Sequence, residues 1–201
     1  RGALMDGTVI RLARQSLLAA VLGAALAACG SDRLPVIGRE PLPAVGTETG
    51  ALAPPLAGTR ADGSAFELRP ARREYTLVEF YRGERCGLCR ERLAALEANR
   101  AAYEAARVRI IAVTLDEPEV VAHTAEALGL GFPVVSADSA AFARWAVLDD
   151  GRGVALPASL VLDERGVIRY RHLGHNAADR ADDAVLLAIV GQLRAGPAGE
   201  G

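Results

Sequence analysis

The chain contains no lysine, so all 23 of its basic residues are arginine. We read that as genome composition and not as a functional signal. Against 25 acidic residues the formal net charge is −2, too near neutral for a nucleic-acid binder. Aromatic residues are scarce at 4%, with one Trp and one Met. Three cysteines are too few for a disulfide-stapled scaffold, so any role they have must be local. Collagen-like, coiled-coil and multi-span membrane classes are excluded by the same composition. What remains is 201 residues, enough for one domain with its own core. The 51% hydrophobic content is inflated by alanine, so the core must come from a few short Val/Ile/Leu runs.

The longest apolar run, Leu17 to Ala27, is too short to span a bilayer as a stable helix. Arg11 and Arg14 precede it and small residues end it, the pattern of a secretory signal. It closes on Leu26-Ala27-Ala28-Cys29, which resembles the lipobox of bacterial lipoproteins. That resemblance implies a signal peptide over 1–28, lipidation at Cys29 and attachment to a membrane by acyl chains. The expected location is the bacterial cell envelope, facing the periplasm or the cell exterior. Met5 is the expected start, which would leave Arg1 to Leu4 outside the native sequence. From Ser31 to about Gly50 the chain is rich in Pro and Gly and reads as a flexible tether, 29–50. A folded domain is expected over 51–196, and a disordered tail over 197–201.

Within that domain, Ala61-Asp62-Gly63-Ser64 marks a turn between two extended pieces, an N-terminal β-hairpin. Tyr75 to Tyr81 and Val108 to Leu115 read as buried strands. Between them, helical periodicity runs from about Cys86 to Arg107, with Leu88, Leu93, Leu96 and Tyr103 along one side. Asp116 can cap a helix carrying Pro118 and reaching about Leu128. Phe132 to Ser136 reads as a short strand, and Asp138 can cap a helix through Trp145, a core aromatic. Ser159–Asp163 and Val167–His172 form a hairpin around Glu164-Arg165-Gly166, and Asp182 to Arg194 a final amphipathic helix. This order predicts an α/β fold with a central mixed sheet and helices on both faces, joined by right-handed crossovers.

The chemistry concentrates at Cys86-Gly87-Leu88-Cys89, at the join of a strand and a helix. A thiol at a helix start faces unpaired N–H groups and the positive end of the helix dipole, which favour thiolate. Cys86 is thus expected to be exposed and nucleophilic, and Cys89 one turn inward to attack a mixed disulfide and release product. Arg82, Arg85 and Arg90 add positive charge, partly offset by Glu84 and Glu91. A zinc site needs four ligands, and beyond the dithiol only His123, His172 and His175 remain once Cys29 is committed. No metal or other cofactor is therefore expected. A structural disulfide across two intervening residues closes too small a loop to stabilise much.

The segment Val78-Glu79-Phe80-Tyr81…Cys86-Gly87-Leu88-Cys89-Arg90 resembles the active-site segment of thioredoxin-like proteins. Leu156-Pro157-Ala158-Ser159 through Gly166 resembles their conserved-proline loop and following hairpin. From about Ala51 to Leu193 the chain is similar to membrane-anchored thioredoxin-like reductases of the TlpA/ResA type. The resemblance implies a thioredoxin-like fold and a cis Pro157 beside the dithiol, with Leu156 and Pro157 holding an extended substrate strand. Arg85 stands where that family usually has Trp, and Leu88 replaces a common Pro. Phe80-Tyr81-Arg82-Gly83 is also similar to the peroxiredoxin-like, AhpC/TSA branch of the superfamily. Standard peroxidases there carry Thr or Ser three residues before the reactive Cys and an Arg at the later strand. This chain has Gly83 and Pro157 instead.

Glu79 is an acid in an otherwise apolar strand. Buried, it could accept the proton of Cys89; by strand alternation it could instead face solvent. The favoured function is an extracytoplasmic, lipid-anchored thiol-disulfide oxidoreductase, acting as a monomer on protein disulfides and dithiols and on no nucleic acid. The enzyme alternative is a thiol peroxidase, in which Cys86 becomes a sulfenic acid and Cys89 closes the disulfide. The non-enzyme alternative is a copper-carrying lipoprotein using the same sulfurs, with His172 and His175 otherwise exposed loop histidines. The arginines of the first helix read as a solvated face.

Overall fold

A computed structural model describes residues 44–196. The expected signal segment 1–28, Cys29, most of the expected tether and the tail 197–201 lie outside those residues. The two apolar runs form the parallel centre of the sheet, β3 (Tyr75–Phe80) and β4 (Val108–Thr114). Around them lie β1 (Ala57–Arg60), β2 (Ala65–Glu67), β5 (Val134–Ser136), β8 (Ala158–Leu162) and β9 (Ile168–Leu173). The seven-stranded order is β2-β1-β5-β4-β3-β8-β9, with β5 parallel to β4 and the other pairings antiparallel. A separate ribbon pairs β6 (Leu148–Asp149) with β7 (Val154–Ala155), which periodicity does not reveal.

Five helices complete the described residues: α1 (Gly87–Ala98), α2 (Arg100–Ala105), α3 (Pro118–Leu128), α4 (Ser139–Arg144) and α5 (Asp183–Ala195). The expected long helix over 86–107 is broken at Asn99, whose side-chain amide donates to Asp183 Oδ2 at 2.8 Å. Period-two alternation along β3 splits the core. Val78 and Phe80 join Phe142 of α4 and Trp145 on one face. Leu77 and Tyr81 join Cys89, Leu93 and Leu96 of α1, Tyr103 of α2 and Leu186 of α5 on the other. The mixed sheet with helices on both faces and an N-terminal hairpin is the fold expected.

Three local expectations are corrected. Leu88 is 43% exposed, and the buried stripe of α1 is instead Cys89, Arg92, Leu93 and Leu96. Arg92 therefore breaks the expected solvated arginine face. The end of the expected tether, Ala44–Gly50, is bound to the domain by its backbone. Gly50 N donates to Ile168 O at 2.8 Å, and Leu52 N to Ala44 O at 3.0 Å. Gly50 at φ +94° makes the fold-back possible, so a residue that reads as a linker signal here closes a turn.

Candidate active site

β3 delivers the chain to the dithiol. Tyr81 N donates to Val113 O at 3.0 Å, and a short loop then leads to Cys86, the extended N-cap residue of α1. Cys86 Sγ accepts from Cys89 N at 3.3 Å, taking the role a Ser or Asp oxygen usually plays at this position. The two sulfurs are joined as a disulfide, with Cα atoms 5.1 Å apart. Cys86 is half-buried at the surface, whereas Cys89 has 0% exposure.

The loop is held by Gly83 and Asp116. Gly83 adopts φ +131°, and a Cβ there would lie 2.5 Å from Asp116 Oδ1. Asp116 Oδ2 accepts from Glu84 N at 2.7 Å. Asp116 is thus a brace for the dithiol loop and not the expected helix cap; Glu117 occupies the N-cap of α3 without a side-chain bond. A cavity of about 460 Å³ opens beside Cys86, bordered by Arg82, Arg85, Asp116 and Val154. Arg82 and Arg85 are exposed, and Glu84 pairs with His123 Nδ1 at 2.8 Å and Arg90 at 3.7 Å.

Beneath the disulfide lies a buried charge network. Glu79 is 1% exposed, so alternation does turn it away from Val78 and Phe80, but the face it meets is covered by helices. Its Oε1 accepts from Arg92 Nε at 3.1 Å and its Oε2 from Arg92 Nη2 at 3.4 Å. Ser159, directly across the β3–β8 register, donates its hydroxyl to Oε2 at 2.6 Å. Arg92 also reaches Asp183 Oδ1 at 2.5 Å, which accepts from Tyr103 at 2.7 Å. Burial opposes the Arg92 charge, but Glu79 and Asp183 outweigh it and hold the guanidinium above its ordinary value.

The group that touches the inner sulfur is Arg180. Its Nη2 donates to Cys89 Sγ at 3.2 Å, its Nε to Ala177 O at 3.0 Å, and its Nη1 lies 3.9 Å from Glu79 Oε1. Glu79 is therefore near the dithiol, but the bond to Cys89 Sγ comes from an arginine. Arg180 lies between β9 and α5, 91 residues from Cys89 in sequence, and no motif marks it. Arg92 could have been found: it shares a helical face with Cys89 and Leu96, and an acid in an apolar strand calls for a buried partner.

Pro157 is buried at the start of β8, where Ala158 faces Phe80 across the register. This places it at the sheet end that carries the dithiol. Its O accepts from Gly174 N at 2.8 Å, and Leu156 N donates to Val147 O at 2.8 Å. The expected cis bond is corrected: no described residue has a cis peptide, so Pro157 is trans, the form X–Pro favours by about 0.5–1 kcal/mol. His172 Nε2 pairs with Asp179 Oδ1 at 2.9 Å, while His175 is exposed. Among the described residues no group of three or more His, Cys, Asp or Glu side chains is placed to hold a metal ion, and no helix is long and apolar enough to cross a membrane.

Solved structures share this architecture. The crystal structure of Enterococcus faecalis AhpC superposes with a TM-score of 0.64 at 17% identity, covering 74% of this chain and 94% of that one. Reduced Plasmodium vivax 2-Cys peroxiredoxin gives 0.62 at 21% identity, covering 73% and 82%. The peroxiredoxin-like protein from Aquifex aeolicus gives 0.63 at 16%, covering 70% and 84%. At such identities the likeness shows the fold alone. No curated protein matches the sequence. Residues 49–171, more than half of the chain, match the AhpC/TSA family, and with a dithiol at the start of α1 the chain belongs to that family of thiol-based oxidoreductases and peroxidases.

Proposed function

We propose that the chain is a thiol-disulfide oxidoreductase of the TlpA/ResA type that acts on protein disulfides in the cell envelope. One observation carries the reading: two sulfurs one helical turn apart differ in access, Cys86 at the surface and Cys89 fully buried. In the reduced enzyme the Cys86 thiolate attacks a substrate disulfide. Cys89 then attacks Cys86, closing the disulfide and expelling the reduced substrate. Leu156 and Pro157 border the substrate strand at the same end of the sheet. The anchor is Cys29, lipidated after removal of 1–28, and supported by the Leu26–Cys29 sequence alone. The enzyme works as a monomer.

Thiol peroxidase is the second reading, favoured by the family itself. There Cys86 would take the oxygen of a hydroperoxide and Cys89 would condense with the sulfenic acid, releasing water. Gly83 weighs against it: Asp116 occupies the space a Thr side chain would need three residues before Cys86.

The test is mixed-disulfide trapping. Cys89→Ser deletes only the second step, so it should accumulate covalent adducts with envelope proteins on non-reducing gels, and Cys86→Ser far fewer. A peroxidase would instead consume peroxide and show a sulfenic acid on Cys86. Equal adducts in both variants would remove the exchange reading. Detergent partition and the mass of the native protein decide the anchor; an aqueous form with a free Cys29 thiol would end that part.

A further inference from the structure

The Arg180 guanidinium is nearly enclosed, with 10% of its side chain exposed, yet it is poorly served. Arg92 holds the near contacts of the buried carboxylate Glu79 and the half-buried Asp183. Arg180 is left with Glu79 at 3.9 Å, and its buried Nη1 has no hydrogen-bond partner. A buried cation without a close anion is costly. What its Nη2 does touch is Cys89 Sγ, at 3.2 Å. In the disulfide that sulfur is neutral, so the site is one negative charge short of a close pair. Reduction of the disulfide is the event that can place an anion there.

We propose that Arg180 is the counter-ion of the Cys89 thiolate, holding the inner sulfur ionised in the reduced pair. The assignment rests on the dithiol-exchange reading and gives Glu79 a different part from proton acceptor: it is the carboxylate nearest the guanidinium, 3.9 Å from Nη1. The chemistry balances. Cys86 thiolate attacks one sulfur of a substrate disulfide, forming a mixed disulfide and expelling a substrate thiolate that takes a proton from water. Cys89, already a thiolate against Arg180, attacks Cys86 Sγ. The Cys86–Cys89 bond forms as the bond from Cys86 to the substrate sulfur breaks, the second substrate thiolate leaves and takes a proton from water, and two electrons have passed from the dithiol to the substrate. No base has to deprotonate Cys89 between the steps. The groups that touch that sulfur are Cys86 at the helix cap and Arg180 before α5; beyond Arg180 lies Glu79 of β3, which pairs with Arg92 of α1, and Arg92 pairs in turn with Asp183 of α5.

The experiment titrates Cys89 alone. The full chain with Cys29→Ser and Cys86→Ser has one thiol, and its thiolate absorbance is followed against pH. We expect its midpoint below the roughly 8.5 of a free thiol, although burial alone would raise it. Arg180→Gln should raise the midpoint by about one pH unit or more, and Arg180→Lys by less. A purely structural arginine would leave the midpoint in place. A midpoint at or above the free-thiol value with Arg180 present overturns the assignment, even if Arg180→Gln fails to fold. So does an unchanged midpoint in an Arg180→Gln protein with native circular dichroism. The titration needs no substrate, so it fails separately from the trapping experiment: ordinary titration with abundant Cys89→Ser adducts removes Arg180 from its part and leaves the exchange reading standing.

Discussion

Glu79 and Arg92 form an ion pair at 3.1 Å with side chains 1% and 7% exposed, on a strand and a helix that meet beneath the dithiol. Removing one member of such a pair leaves the other's charge buried. Arg92→Met strips the nearest cation from both Glu79 and Asp183 and should destabilise the oxidised protein by about 3–5 kcal/mol. Combining it with Glu79→Gln should cost less than the sum of the single changes, because the Glu79 charge that Arg92→Met orphans disappears, while that of Asp183 stays. Urea unfolding with the disulfide intact measures both. A loss under about 1 kcal/mol for Arg92→Met would mean water reaches the pair.

The two sulfurs should differ in their reactivity toward a small alkylating reagent. Cys86 is at the surface and beside the open N–H groups of α1, whereas Cys89 is enclosed. Brief iodoacetamide treatment of the reduced protein near neutral pH, followed by peptide mapping, should find the label on Cys86 first. Enclosure matters here as well as ionisation, so a Cys89 thiolate would still label slowly. Preferential labelling of Cys89 would reverse the order of the two steps.

Two glycines close together in sequence should respond in opposite ways. Gly83→Ala forces a side chain to φ +131° and against Asp116, and should cost about 1–3 kcal/mol while loosening the bond from Glu84 N. Gly87 opens α1 with empty space around it, so Gly87→Ala should be neutral or stabilise by up to about 1 kcal/mol. Thermal melts of both variants settle the contrast, and equal effects would contradict the packing described around Gly83.

Alkali should weaken the fold through its tyrosines. Burial pushes the Tyr81 hydroxyl well above its ordinary value, with the Asp116 charge adding to it. Burial does the same for Tyr103, helped by its bond to Asp183. The unfolded chain releases these protons near pH 10, the native state only at higher pH. Between those points the folded form binds more protons, so this contribution is complete below about pH 10 and drains away as pH rises toward the native values. Tyr75 and Tyr170 are raised too, chiefly by burial. Absorbance at the tyrosinate band should therefore lag that of urea-unfolded protein and rise with unfolding. Reversible ionisation of all four near pH 10 in folded protein would refute this.

Much of the fold is readable because its signals are local. β3 and β4 are largely apolar runs, the turn at Asp62-Gly63 is chemical, and the cysteines stand at a strand–helix join. The site beneath them is another matter. Alternation places Glu79 opposite Val78 and Phe80, but only the packing of α1 and α5 over that face decides that it is buried. Arg180 comes from a loop after β9, outside the segment matched to the family, and meets Cys89 only through tertiary folding. Asp116 looks like a cap because it precedes a proline-led helix; the nearby demand of Glu84 N wins instead. The break at Asn99 is invisible to periodicity, since Leu96 and Tyr103 keep to one side across it.

The pairing of Ala51 and Leu52 with the start of β9 gives the domain a polarity. That start of β9 faces Leu162, and Leu162 faces Thr76 at the beginning of β3, whereas the dithiol follows the end of β3 at Phe80. The polypeptide thus enters at one pole of the sheet and presents its reactive sulfur at the other. If the proposed acyl chains fasten the amino terminus, the domain hangs by its inert end. Attachment there would leave the end that carries the nucleophile free to meet a partner.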